Sequence, residues 1–463
     1  MSASVKSAKE DNTFFTRGNR RREFLSSALW KFTGVVVFLL LFAFTSAAPA
    51  NTVSNPGAEP FGYFDFPTCV RYAFVHSESL LANKLDIQVS AIDLKDAHSE
   101  LLPTFQLVTR YYFVRTDDAN NPNPGRFNVQ FQMTSWNPYE ALIKIKTQSI
   151  FVDIAKLAHF DKISDNVAQI AKLFYGINTL QSSIRGQKQI LAIHTNKINF
   201  GKSRHEQGNL DSFTLQSWTN SLKAQQLKIR SLQRDVDQKT SMLKNLMGYH
   251  PDYHLPLDTR DAANQILNGF NGRWLTFADI QGRNLKLKMA AKKEQAQSVM
   301  VTGAYLQLVP KPLFVFTDNK NTPNVTSGVN IAVGLDYQLW DGFKRVRDIS
   351  RQKFKAQKLE IDRRQLSEKL YGDFKRIRGE IDSTGEQTSL SREQAKLADL
   401  AEEKAAILFR SGTIDYGEYS DQRIKTIEAH LNVATDLQNR VFELIDLATM
   451  AGGLNKYNAA IRY

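Results

Sequence analysis

Apolar residues recur at three- and four-residue steps through Ile150, Ile154, Leu157, Ile163, Val167, Ile170, Phe174, Ile177, Leu180 and Ile184. This is the period of an amphipathic helix with a narrow apolar seam. The same step returns at Leu366, Leu370, Phe374, Ile377 and Ile381, then at Ile424, Ile427 and Leu431, amid abundant Lys, Glu, Gln and Arg. Such composition suits coiled-coil packing. Proline breaks helix interiors, and none occurs between Pro138 and Pro251 or after Pro323, so both tracts can hold long helices. A helix from about Tyr139 to the turn between Gly201 and Gly208 holds about 65 residues and reaches ~100 Å.

A different period precedes each tract. Phe127, Val129, Phe131 and Met133 alternate with Asn128, Gln130, Gln132 and Thr134, as in a strand with one apolar face. Val329, Ile331, Val333, Leu335, Tyr337 and Leu339 alternate in the same way further on. Before the first of these, Thr104 to Val114 carries Phe105, Leu107, Tyr111 and Phe113 on one face, and the turn-rich stretch Asp117 to Gly125 joins the two. In the second tract Lys311 to Phe316 is the less regular first strand, with Asp318 to Ser327 as its polar connection. The pattern predicts one hairpin per tract, with strands at about 104–114, 127–135, 311–316 and 328–340.

Sliding the sequence against itself by 204 positions aligns the two tracts without a gap. Trp136 falls on Trp340, Val129 on Val333, Gly208 and Asp211 on Gly412 and Asp415. Leu227 and Leu243 fall on Leu431 and Leu447, and Gly248 on Gly452. Because the punctuating glycines and the strand-to-helix tryptophan keep one register, the chain reads as an internal duplication. The expected organisation is a signal peptide at 1–50, an extension at 51–68, a first repeat at 69–250, a linker at 251–275, a second repeat at 276–453 and a tail at 454–463.

Composition narrows the function. The 463 residues exceed what one compact core supports. The balance of 60 Lys+Arg against 47 Asp+Glu gives a formal charge of +13. The basic residues are dispersed along the helices without the aromatic interleaving of a nucleic-acid module, so no nucleic-acid partner is expected. A single cysteine, Cys69, excludes a disulfide framework and a Cys-rich zinc site. His250-Pro251-Asp252-Tyr253-His254 lacks a third metal ligand nearby, and no phosphate loop, zincin motif or nucleophile elbow is present. No enzyme activity, metal or cofactor is expected. Asn324-Val325-Thr326 reads as turn chemistry ahead of a glycosylation site.

At the N-terminus, Arg17, Arg20, Arg21, Arg22 and Lys31 precede the apolar run Val35 to Phe44 and the small-residue stretch Ser46 to Ala50. That is the layout of a secretory signal peptide cleaved after Ala48 or Ala50. An uncleaved anchor is the alternative, although the run is shorter than the ~20 residues of a spanning helix. In an exported chain, strands of roughly 6 to 13 residues bracket the 9 to 11 that cross a tilted bilayer wall. Four strands cannot close a membrane barrel, whose minimum is about eight, so a spanning sheet requires several chains.

The order of motifs resembles the TolC-like family of outer-membrane efflux and secretion channels. The resemblance runs from about Cys69 to Gly453 and rests on Ala97-His98-Ser99-Glu100-Leu101-Leu102-Pro103, Leu339-Trp340-Asp341-Gly342-Phe343, and the two helical-tip segments. These are Gly208-Asn209-Leu210-Asp211 and Gly412-Thr413-Ile414-Asp415, each followed by a helix ending at Gly248 or Gly452. The resemblance implies an α+β membrane protein located in the outer membrane. A trimeric transmembrane β-barrel, with four strands from each chain, would continue into a long periplasmic α-helical coiled-coil barrel. It also implies a homotrimer, a periplasmic adaptor (membrane fusion) protein and an inner-membrane transporter in a tripartite efflux or type I secretion system. A periplasmic coiled-coil scaffold without transport activity is the alternative function.

By the same resemblance, the tip residues Asn209, Leu210, Thr413 and Ile414 meet the adaptor. Asp211 and Asp415 fit a simpler role as helix caps. Glu418 and Asp421 occupy the places where acidic rings form at the periplasmic aperture, or else lie on a solvated helix face. Phe409, Ile414, Phe213 and Thr214 stand where polar latch residues are expected and offer little hydrogen bonding or charge pairing. Trp136 and Trp340 suit either the membrane interface or a buried strand-to-helix joint.

Overall fold

The computed structural model describes residues 62–112, 126–133, 137–267, 275–320 and 328–452. The chain divides into Met1–Phe61, outside the described residues, and Gly62–Tyr463, which carries every element below. The expected signal peptide, Trp136, the turn from Asp117 to Gly125, Asn324 to Thr326 and the tail at 454–463 also lie outside the described residues.

The order of elements repeats. Helices α1 (Phe66–His76) and α2 (Glu78–Ser99) lead into strands β1 (Phe105–Tyr112) and β2 (Arg126–Met133), then α3 (Pro138–Glu206) and α4 (Ser212–Met247). After a short helix α5 (Ala262–Leu267), helices α6 (Phe277–Arg283) and α7 (Leu285–Leu306) lead into β3 (Lys311–Lys320) and β4 (Gly328–Asp336), then α8 (Lys344–Arg410) and α9 (Tyr416–Met450). The paired helices have closely matched lengths: 22 and 22 residues for α2 and α7, 69 and 67 for α3 and α8, 36 and 35 for α4 and α9. At 1.5 Å per residue α3 and α8 each reach about 100 Å.

Local chemistry sets the ends. The side chain of Asn137 accepts from the backbone of Tyr139 and Glu140 ahead of Pro138, a start that proline favours. Gly208, Gly248, Gly412 and Gly452, the glycines that share the 204-residue offset, all have positive φ between 70° and 94° at helix ends. Gly248 also lies against the end of α1: an added Cβ would stand 2.2 Å from the His76 carbonyl oxygen.

The four strands form one antiparallel sheet in the order β1-β2-β3-β4. Two strand ends differ from the alternation. β3 continues past Phe316 to Lys320 because Thr317, Asp318 and Asn319 pair with both β2 and β4, which satisfies their backbone whatever their side chains. β4 stops at Asp336, short of Trp340, because its last partner is Lys311 and Pro310 has no N–H to offer beyond it.

Below the sheet the elements lie side by side. In the upper part α2 packs on α3, α3 on α7 and α7 on α8; lower down, α4 packs on α3, α3 on α9 and α9 on α8. One margin of the layer is therefore β1, α2 and α4, and the other is β4 and α8. The narrow seam expected for α3 is replaced mid-helix by burial on several sides, with Ala168, Ala171, Tyr175, Gly176 and Thr179 buried beside Val167, Ile170, Phe174 and Ile177. The reason is position: α3 sits inside the layer, with neighbours on both flanks. Described residues of 51–68 and 251–275 also join the core. Phe64 pairs with Leu257, and Phe64, Phe66, Leu255, Ala262 and Ile266 share one core with α3, α4 and α9.

Candidate functional site: the helical tips

The first tip is a short turn. The Asn209 N–H donates to the Arg204 carbonyl at 2.8 Å across the left-handed Gly208, closing α3. Asp211 then opens α4 by accepting from the Thr214 N–H at 2.8 Å and from its hydroxyl at 2.6 Å. These bonds hold the Asp211 carboxyl below its ordinary range. The second tip repeats the construction: Thr413 N–H to the Leu408 carbonyl at 2.9 Å across Gly412, and Asp415 accepting from the Glu418 N–H at 2.8 Å. Both aspartates cap helices. Asn209 and Thr413 are exposed, while Leu210 and Ile414 are half-buried beneath the turns.

Glu418 and Asp421 are both exposed and lie three residues apart on α9, hence on one face. Their environments differ. One Asp421 oxygen stands 2.6 Å from Lys197 Nζ, and Lys197 is only 5% exposed. The ammonium also lies 4.8 Å from the centre of the Trp218 ring. Trp218 is seated against Gly201, where an added Cβ would come within 2.7 Å of the indole, and near Gly417 of α9. A buried cation thus joins α3, α4 and α9 just above the tips. Burial, and then Lys197, push His194 one turn away below its ordinary value, while Asp421 and Glu428 act in the opposite sense.

Aromatic contacts continue this junction. Phe200 of α3 meets Tyr416 of α9 at 5.0 Å, and Phe409 stacks on Tyr419 at 5.2 Å with an interplanar angle of 6°. Arg423 lies over Tyr419 and pairs with Glu402 at 3.4 Å. Of the four positions expected to offer little hydrogen bonding, Thr214 is bonded twice to Asp211, within its own cap, and Phe409 contributes a ring stack instead. Phe213 is 82% exposed. Sequence reading missed Lys197, Trp218, Gly201 and Gly417. The available signal was a tryptophan in a polar helix with two glycines able to receive it.

Trp340 is 70% exposed and meets Phe343 edge-on at 5.0 Å, so within this chain it is not buried at a joint. His250 and His254 lie in the segment after α4, where His250 packs against Tyr253. Among the described residues no helix is long and apolar enough to cross a membrane, a statement that leaves strands aside.

No protein-family model matches the sequence, and no curated protein matches it. Solved structures do match. The channel protein CusC superposes with a TM-score of 0.73 at 13% identity, covering 86% of this chain and 96% of that one. The outer membrane protein VceC from Vibrio cholerae gives 0.69 at 12% over 84% and 96%, and the Campylobacter jejuni CmeC outer membrane channel 0.69 at 11% over 84% and 85%. At these identities the likeness is one of fold, and the fold is that of the TolC-like outer-membrane channels.

Proposed function

We propose that the chain is one subunit of a homotrimeric outer-membrane channel, a passive conduit in a tripartite efflux or type I secretion system. One observation carries this reading: the layer ends in two unlike margins, both of which leave apolar rows in solvent. On one margin Leu81, Leu85, Val89 and Ile92 of α2 are exposed at helical spacing. On the other, Val346, Phe354, Ile361, Leu390, Leu397 and Leu400 of α8 are exposed. Contiguous exposed apolar rows mark interfaces. Margins that differ pair head to tail, and such contacts make rings where the rotation closes. Four strands per chain then supply a shared barrel at one end of a helical conduit.

In that ring the tips Asn209, Leu210, Thr413 and Ile414 face the periplasmic adaptor, and the inner-membrane transporter selects the cargo. Glu418 and Asp421 line the aperture, where three-fold repetition gathers carboxylates and favours cations. Trp340 sits at the level of the membrane interface. The test is conductance of the purified full chain in planar bilayers. Open cation-preferring channels are expected, with weaker block by multivalent cations in Glu418→Ala/Asp421→Ala. Recovery of the chain only in the soluble periplasmic fraction would overturn the channel.

A further inference from the structure

We infer that the lower margin of α4 docks on α8 of a second copy of this chain, in a register fixed by three charge pairs: Lys223–Glu393, Arg230–Glu386 and Arg234–Asp382. The inference deepens the proposed channel and rests on it, by naming the surface that joins neighbouring copies. Duplication supplies the geometry. Within the chain, the first repeat meets the second where α3 packs on α9, and there Leu431 closes on Gly186: a Cβ at residue 186 would lie 2.9 Å from the leucine side chain. Shifted by 204 residues, α3 becomes α8 and α9 becomes α4. The same contact then joins Leu390 of one copy to Leu227 of the next. Both leucines are left in solvent by the single chain, 48% and 63% exposed.

Charge supports this register independently. Lys223, Arg230 and Arg234 stand four before, three after and seven after Leu227, on its face of α4. Glu386 and Glu393 stand four before and three after Leu390, and Asp382 one further turn back. Because α4 runs antiparallel to α3, it also runs antiparallel to α8 of the neighbour. Aligning the two leucines therefore brings each cation within about one residue of an anion. Lys223, Arg230, Arg234, Glu386 and Glu393 are exposed and have no ion-pair partner among the described residues of their own chain. Asp382 has only Arg378, at 3.9 Å. Apposing two α4 margins would instead set cation against cation, so the pattern selects the unlike margin and its height together.

Two measurements test the proposal on the full chain in membranes. In Leu227→Cys/Leu390→Cys, a short thiol-to-thiol linker should yield covalent trimers. Cys69 does not compete, since burial pushes its thiol up to about 12. Reversal by Lys223→Glu/Arg230→Glu/Arg234→Glu should weaken assembly about tenfold. Adding Asp382→Lys/Glu386→Lys/Glu393→Lys should restore it. Conducting oligomers that neither cross-link nor respond to reversal would overturn this register while leaving the channel intact. A chain that stays monomeric would overturn both.

Discussion

At the scale of single residues, the junction above the tips turns on Lys197. Its ammonium is buried, and Asp421 is its ion-pair partner among the described residues. Removing the carboxylate leaves a buried cation unpaired, at a cost of about 1–3 kcal/mol. Asp421→Ala should loosen α9 from α3 and, in the proposed channel, raise conductance, whereas Glu418→Ala, whose backbone alone is engaged by Asp415, should not. Equal effects from the two substitutions would show that the pair does not hold this junction. Higher on the same helices, burial, and then the neighbouring Glu380, push Glu443 up to about 7, with Asp446 adding to the rise. The folded carboxyl then holds a proton that the unfolded chain, near 4.5, has given up. Its contribution is therefore fully present below about 4.5 and is lost as pH rises through 7. Glu443→Gln should raise the Tm at pH 8 relative to wild type and leave it nearly unchanged at pH 4, read by circular dichroism.

At the scale of elements, what was legible in the sequence was local. Asp211 and Asp415 follow a glycine break, and capping is decided within four residues, so both could be read without a fold. The left-handed glycines were legible for the same reason. The Lys197–Asp421 pair was not, because its partners lie 224 residues apart and meet only once α3 and α9 are rotated correctly. The narrow seam expected for α3 failed similarly, since periodicity counts apolar residues but cannot count neighbouring helices. The strand β3 outran its alternation because pairing on both sides, not side-chain pattern, set its length. Asp211→Ala should lower stability through the lost cap, read as a lower urea midpoint. Gly208→Ala has open space and should cost about 1–2 kcal/mol of backbone strain. Gly248→Ala has the same strain plus the His76 carbonyl, and should cost clearly more in urea denaturation.

At the scale of the molecule, the resemblance seen in motif order and the fold seen in superposition agree, although 11–13% identity leaves few residues in common. The margins of the layer can be probed directly. Phe354 is 68% exposed in the single chain, so Phe354→Asp should leave helix content intact by circular dichroism. It should also abolish oligomers by size-exclusion chromatography. Loss of helix content would instead place Phe354 in the chain's own core.

In the proposed ring of three chains, six helical hairpins would meet at six seams, alternately within and between chains. Lys197 and Asp421 occupy the seams within chains, while Ala401 and Ser217 hold the corresponding places between them. At the level of the tips the two sets of seams therefore differ in chemistry. Such a mouth would dilate as an iris of three blades rather than six, each blade hinged on the seam that does not part.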